Sequence, residues 1–270
     1  MAEPGNSALT GACCSDHMDS LTQYRSNIYS QNGEDGVLAE LCARLNIHSG
    51  AFVEFGAWDG KHLSNCYRLL EEGWSGVYIE GDTRRFQELK ANMAPFDDRI
   101  IIMNAYVSTN GEFRLDQLLS NTPLGRDFEI LSIDIDSHDW QVWESLREYR
   151  PKIVVIEINS HIPVGIHQIH NGATAIGSSF TSTVQLGRNK GYTPVCHTGN
   201  LILVRDDLVG AVGLSEAERL HPELLFDYSW VRLRYDSPMS GSASKPLRER
   251  YLKKLVKLRK RINLSFSLGR

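Results

Sequence analysis

The chain has 270 residues, 41% of them hydrophobic and 23% charged, with a formal net charge of −4. This length suits one large domain or two small ones, and no apolar run approaches the roughly 20 residues that span a bilayer. Residues 245–270 carry ten Lys or Arg against one Glu, which leaves −13 on the other 244 residues and argues against a nucleic-acid partner.

The N-terminus, MAEPGNSALTGACC, has neither the basic start nor the apolar core of a secretory signal. Its Gly, Ser, Asn and Pro content predicts a disordered leader over residues 1–24. Val37, Leu38, Leu41 and Leu45 then fall at helical spacing, ahead of a first strand, AFVEF (51–55). Leu63, Cys66, Tyr67 and Leu70 predict a second helix, with Gly73 placed to stop it, before the strand GVYIE (76–80). Asp82 is a good N-cap for a helix bearing Phe86, Leu89 and Met93, and RIIIMNA (99–105) follows as a strand.

A fourth strand is expected over EILSIDID (129–136). Trp140, Trp143, Leu146 and Tyr149 predict a helix closed by Pro151, and KIVVIEIN (152–159) is a fifth strand. The next connection is long, Gly-rich and contains His161, His167 and His170, the character of an acceptor-binding lid. His167 and His170 are spaced for one helix face and so for a metal, although substrate contact or plain exposure suits two histidines better. YTPVC (192–196) and NLILVR (200–205), joined by His-Thr-Gly, predict a hairpin.

Two-sided apolar strands alternating with helices mean a mostly parallel sheet covered on both faces. The expected organisation is the leader, an α/β domain over 25–210, and a helical extension over 211–270. In that extension Leu247, Tyr251, Leu255, Leu258 and Ile262 form an apolar stripe among basic residues. The stripe is expected to pack on its own domain or on a second subunit of a homodimer, with peripheral contact to anionic lipid as the alternative. Five cysteines without metal-like spacing indicate free thiols in a reducing compartment, by default the cytoplasm.

In an open α/β sheet the ligand sits beyond the carboxyl ends of the strands. The first strand ends VEFGAWDG, with Glu54, Gly56 and Gly60, and the second ends IEGD, with Glu80 twenty residues after Gly60. An acid at that distance typically receives ribose hydroxyls. A dinucleotide site would need a middle glycine where Ala57 and Trp58 stand, and Glu54 would repel phosphate, which disfavours a nicotinamide dehydrogenase. A ligand with a ribose and positive charge fits better, and S-adenosylmethionine has both. The plain alternative is a glycine turn followed by a surface acid.

The segments YSQNGEDGVL, FVEFGAWDGKHLSN, GVYIEGD, LSIDIDSHDW and VVIEIN, in this order, resemble the FkbM-like branch of class I S-adenosylmethionine-dependent methyltransferases. GRNKGYTPVCHTGNLILVRDDL is similar to that family's closing helix and hairpin, so the likeness covers about residues 24–208. The resemblance implies a Rossmann-like, seven-stranded fold and methyl transfer, commonly to a hydroxyl of a sugar or natural product. It also implies that Glu54, Gly56 and Gly60 hold the methionine end of the cofactor and Glu80 its ribose, with Gln31 and Asp35 near the entrance. The chain departs from the family's pattern after the fourth strand, where Ser137-His138 stands in place of a glycine.

That departure bears on LSIDIDSHDW. Asp134 and Asp136 would share one face of the fourth strand at period two, with Glu157 and Asn159 alongside on the fifth. Three acids and an amide would suit Mg2+ or another hard divalent cation, with Asp134 also serving the cofactor. The placement resembles metal-dependent catechol and macrolide-sugar O-methyltransferases, and His138 would then be the general base toward the acceptor hydroxyl. Alternatively, Ser137 or Asp139 simply caps the following helix and the acids complement its dipole. The leading expectation is an O-methyltransferase acting on a small hydroxylated molecule. Its rival is a non-catalytic cofactor-binding or interaction protein on the same fold.

Overall fold

A computed structural model describes residues 19–231. The helices are α1 (Glu34–Arg44), α2 (Tyr67–Glu71), α3 (Thr83–Met93), α4 (Leu115–Leu119), α5 (Asp139–Ser145), α6 (Phe180–Lys190) and α7 (Glu216–Leu220). The strands are β1 (Ala51–Phe55), β2 (Ser75–Glu80), β3 (Ile100–Asn104), β4 (Ile130–Ile133), β5 (Ile153–Glu157), β6 (Tyr192–His197) and β7 (Asn200–Arg205). They form one seven-stranded sheet in the order β3-β2-β1-β4-β5-β7-β6, parallel except for β7, which runs antiparallel to β5 and β6. This is the mostly parallel sheet with a closing hairpin that the sequence resemblance implies.

Alternation along each strand explains the layers. Phe52, Tyr78 and Ile130 pack on one face against Leu38 and Leu41 of α1 and Leu89 of α3. Val53, Ile79, Leu131 and Ile156 pack on the other against α4, α5 and α6 through Leu115, Trp143 and Val184. Both faces are covered, so the strands carry almost unbroken apolar runs. Pro194 is tolerated in β6 because that strand is the sheet edge, and the pairing slips there between Pro194 and Cys196.

Several local expectations shift. Leu21–Tyr24 forms a 3-10 turn and Leu21 is buried, so the last residues of the expected leader are structured, while residues 1–18 lie outside the described part. The predicted helix at 63–70 shortens to α2, because Leu63 takes a left-handed φ of 60° in the preceding loop. The helix before Pro151 ends at Ser145. From residue 211 to residue 231 the chain stays on the body: Val212 is buried, Phe226 stacks on His197 at 4.4 Å, and Asp227 pairs with Arg25 at 3.1 Å. The basic stripe of 245–270 lies outside the described residues. Among the described residues no helix is long and apolar enough to cross a membrane, and Cys42, Cys66 and Cys196 are buried free thiols.

The strand order reverses between β1 and β4, which both start from the sheet's centre and send their connections to opposite sides. A crevice opens at such a switch point, beyond the carboxyl ends of the strands.

Candidate functional site

The turn after β1 builds one wall. Gly56 has a φ of 75°, and a Cβ there would sit 1.5 Å from the Asp134 carbonyl oxygen, so the β1 and β4 loops touch backbone to backbone. Gly60, at φ 76°, serves packing instead: a Cβ would lie 2.5 Å from Leu89 Cδ1 beneath α3, and Gly60 does not line the crevice. Between them Trp58 holds φ 50°, with its N–H donating to Glu80 Oε2 at 2.7 Å. Glu80 Oε1 accepts the Asp82 N–H at 2.7 Å, so this buried carboxylate ties the β1 turn to the β2 turn. The Arg85 guanidinium lies 4.7 Å over the Trp58 ring.

Glu54 is buried at the end of β1 and shapes the same loop from beneath. It accepts from Ser64 Oγ at 2.6 Å and from the Asn65 N–H at 2.8 Å. Burial pushes its carboxyl up to about 7, and these hydrogen bonds pull in the opposite direction.

The other wall comes from β4 and β5. The strand reading of 129–136 is corrected: β4 ends at Ile133, and Asp136 takes a left-handed φ of 60°, so Asp134 and Asp136 do not share a strand face. Asp139 causes the turn. Its buried carboxylate accepts the Ile135 N–H at 2.8 Å and the Ser137 N–H at 3.0 Å, folding the chain back on itself. The kink nevertheless brings Asp134 and Asp136 to Glu157, with one oxygen of each within 4.8 Å of the others. Asp134 and Glu157 are both held above the usual carboxylate range, first by burial and then by neighbouring acids: Asp139, Asp136 and Glu54 act on Asp134, and Asp134, Asp139 and Asp136 act on Glu157.

Asn159 does not join them. Its amide donates to the Ile176 carbonyl at 2.9 Å and accepts the His161 N–H at 3.2 Å, so it anchors the connection that follows β5. His138 directly precedes α5, makes no side-chain capping bond and is exposed. Its ring meets the His170 ring edge-on at 4.7 Å. His170 is buried and fixed: its Nδ1 accepts the Gly177 N–H at 3.1 Å, and its carbonyl accepts from Gln141 at 2.6 Å.

These walls enclose a cavity of about 930 Å³. Gln31, Glu54, Gly56 and Glu80 line one side of it, and Asp134, Asp136, His138 and Glu157 the other. Among the described residues four non-glycine residues have left-handed backbone, and three of them, Trp58, Leu63 and Asp136, line this cavity. Such conformations cost energy and gather where a site needs them. Asp35 does not reach the cavity. Its Oδ2 collects the N–H groups of Ile28, Tyr29 and Ser30 at 2.7–2.8 Å and the Ser30 hydroxyl at 2.9 Å, holding the loop that carries Gln31.

Sequence reasoning missed Tyr106, Leu63 and Arg85 as cavity residues. Tyr106 follows β3 and its ring rests on Gly81, where a Cβ would come within 2.3 Å; an aromatic residue just past a strand end was the available signal. His167 and His170 are not on one helix face, because residues 158–179 form no helix. His161 Nδ1 bonds the Trp230 carbonyl at 2.8 Å, and His167 lines a separate cavity of about 400 Å³ beside Phe180 and Tyr228.

A buried Ser160–His197 pair, 2.8 Å apart, imitates a nucleophile and its base. His197 Nδ1 accepts the Asp227 N–H at 2.9 Å, so Nε2 carries the proton and donates to Ser160 Oγ, which donates onward to the Gly199 carbonyl at 2.6 Å. An imidazole so arranged cannot take the serine proton. Burial lowers its pKa to about 3, and it clips the C-terminal segment to β6 as a neutral group.

No family model and no curated sequence matches the chain. Among solved structures it is similar to an S-adenosylmethionine-dependent methyltransferase from Clostridium acetobutylicum, with a TM-score of 0.40, 7% identity, and 62% of this chain and 89% of that one covered. It is also similar to a SAM-dependent methyltransferase from Aquifex aeolicus, with a TM-score of 0.38, 8% identity, and 62% and 86% covered. A third is an O-methyltransferase family protein from Burkholderia thailandensis, with a TM-score of 0.40, 9% identity, 62% of this chain and 55% of that one covered. These are likenesses of fold alone.

Proposed function

We propose that the chain is an S-adenosylmethionine-dependent methyltransferase of the FkbM-like kind, acting on a hydroxyl of a sugar or small natural-product metabolite. One observation carries this reading. Acids closing β1, β2, β4 and β5, together with His138, converge on a single cavity at the switch point of the sheet. Glu80 has one backbone bond on each oxygen and keeps lone pairs for a ribose diol. Glu54 and Asp134 place negative charge opposite each other across the β1–β4 crevice, where sulfonium and ammonium groups are favoured and a pyrophosphate is not. Gly56 leaves the only backbone shape that lets the two loops meet, and Gln31 closes the entrance.

Asp134, Asp136 and Glu157 fit a hard divalent cation such as Mg2+, because three carboxylate oxygen ligands stand together, and burial and neighbouring acids disfavour the charge of Asp134 and Glu157. When bound, such an ion would lower the pKa of an acceptor hydroxyl. The protein's own part is to orient the acceptor and to accept its proton at the His138 imidazole, whose ring His170 braces from the side. A cytoplasmic location and a small-molecule acceptor belong to the same reading.

Isothermal titration tests it. S-adenosylmethionine and S-adenosylhomocysteine are expected to bind one per chain, with NAD giving no heat. No detectable binding of either at millimolar concentration leaves the rival reading, an interaction protein on this fold.

A further inference from the structure

The acceptor class can be narrowed from the mouth of the cavity, resting on the methyltransferase reading above. From Ile158 to Gly187 there are thirty consecutive residues without Asp, Glu, Lys or Arg, in a chain that is otherwise 23% charged. This stretch includes the whole connection after β5. It is not a loose loop: Asn159 and Gln168 both bond the Ile176 carbonyl, and the Gly177 N–H bonds His170, which touches His138.

On that pinned scaffold the side chains of Ile169 and Ile176 stand 40% and 63% exposed, one residue from His170 and from Gly177. The cavity's own lining adds Leu63, 38% exposed, and Tyr106, 72% exposed. Leu63 and Tyr106 are large apolar side chains left in water at a polar cavity, which mark a binding surface, and the His170–His138 contact ties the segment bearing Ile169 and Ile176 to the cavity's wall. The connection offers no Lys or Arg to receive a phosphate or carboxylate, acids stand around His138, and the cavity's one guanidinium among the described residues, Arg85, lies over the Trp58 ring on the opposite wall.

We propose that the acceptor is a neutral amphiphile, its hydroxyl lodged beside the acids and His138 and its aliphatic or aromatic body lying on Ile169, Ile176, Leu63 and Tyr106. The body's burial supplies affinity, and the connection after β5, which has no Lys or Arg, gives an anionic group no partner.

Alkyl β-glucosides below their micelle concentrations are the probes, titrated into the full chain saturated with S-adenosylhomocysteine. Affinity is expected to rise about fourfold per added methylene from hexyl to octyl. Ile169→Ser with Ile176→Ser should flatten that gradient while S-adenosylhomocysteine binds as before, which also reports that the variant is folded. Affinity independent of chain length, or equal binding of glucose itself, overturns the proposal. So does sedimentation with neutral phosphatidylcholine vesicles without binding of monomeric glucosides, which would make the patch a membrane-facing surface. A chain-length gradient in a protein that binds no S-adenosylhomocysteine would sink the cofactor reading and leave the apolar site standing.

Discussion

Gly56 and Asp134 meet so closely that a single added Cβ on the first would sit 1.5 Å from the carbonyl oxygen of the second. This contact joins the two loops between which the strand order reverses. A bulky residue at Gly56 does not merely fill a cofactor pocket in an otherwise sound fold, because backbone must move first.

Gly56→Ala is therefore expected to cost about 3 kcal/mol or more of stability, from the positive φ and the collision together. Gly111→Ala is the control, since Gly111 also has a positive φ, 70°, but nothing lies within 4 Å of its added Cβ. That variant should lose only about 1 kcal/mol. Urea unfolding of both measures the difference, and equal losses would refute the packing account.

Glu80→Ala removes the acceptor of two backbone N–H groups as well as the expected ribose contact. It should weaken S-adenosylhomocysteine binding by about 1.5–3 kcal/mol and lower stability by an amount in the same range. Glu80→Gln keeps one carbonyl oxygen and should fall between. Calorimetric titration alongside thermal melts separates the two effects, and an unchanged dissociation constant places the ribose elsewhere.

Glu54 gives a pH dependence of definite sign. Its folded pKa, about 7, lies above the ordinary carboxylate value, so the folded state holds the proton more tightly than the unfolded one. Stability is then greatest below the unfolded pKa and falls as pH rises toward 7, by on the order of 3 kcal/mol from this group. Asp134, Asp139 and Glu157 are raised too and act in the same direction. Urea midpoints from pH 5 to pH 8 should decline, less steeply in Glu54→Gln. Binding of the cationic cofactor should strengthen over the same range as the carboxylates ionise.

His138→Ala should lower turnover about 100-fold or more while leaving S-adenosylmethionine affinity unchanged, as for a lost general base. Asp136→Asn should lose activity in a way that added magnesium partly restores. Full activity in excess chelator, with His138→Ala unimpaired, would reduce this corner to a strand end and a helix start.

The layered sheet was legible because its signals are local. Strands such as AFVEF and KIVVIEIN are apolar on both faces, Asp82 caps α3 by accepting two N–H groups, and the helices alternate with strands in chain order. The acids at strand ends were legible for the same reason, since a parallel sheet brings those ends together. What each polar group does there depends on which partners the folded backbone brings to it. Asp139 folds its own turn while Asp136 three residues earlier faces the cavity, and Asp35 binds a loop while Gln31 lines the site. Asn159 is spent on Ile176, and Glu80 reaches 22 residues back to Trp58. Periodicity reports which side of an element is apolar, because burial acts on whole faces. It carries no record of which oxygen is already hydrogen-bonded or which backbone turns left-handed, because those are set only when distant segments pack and every buried polar group must find a partner.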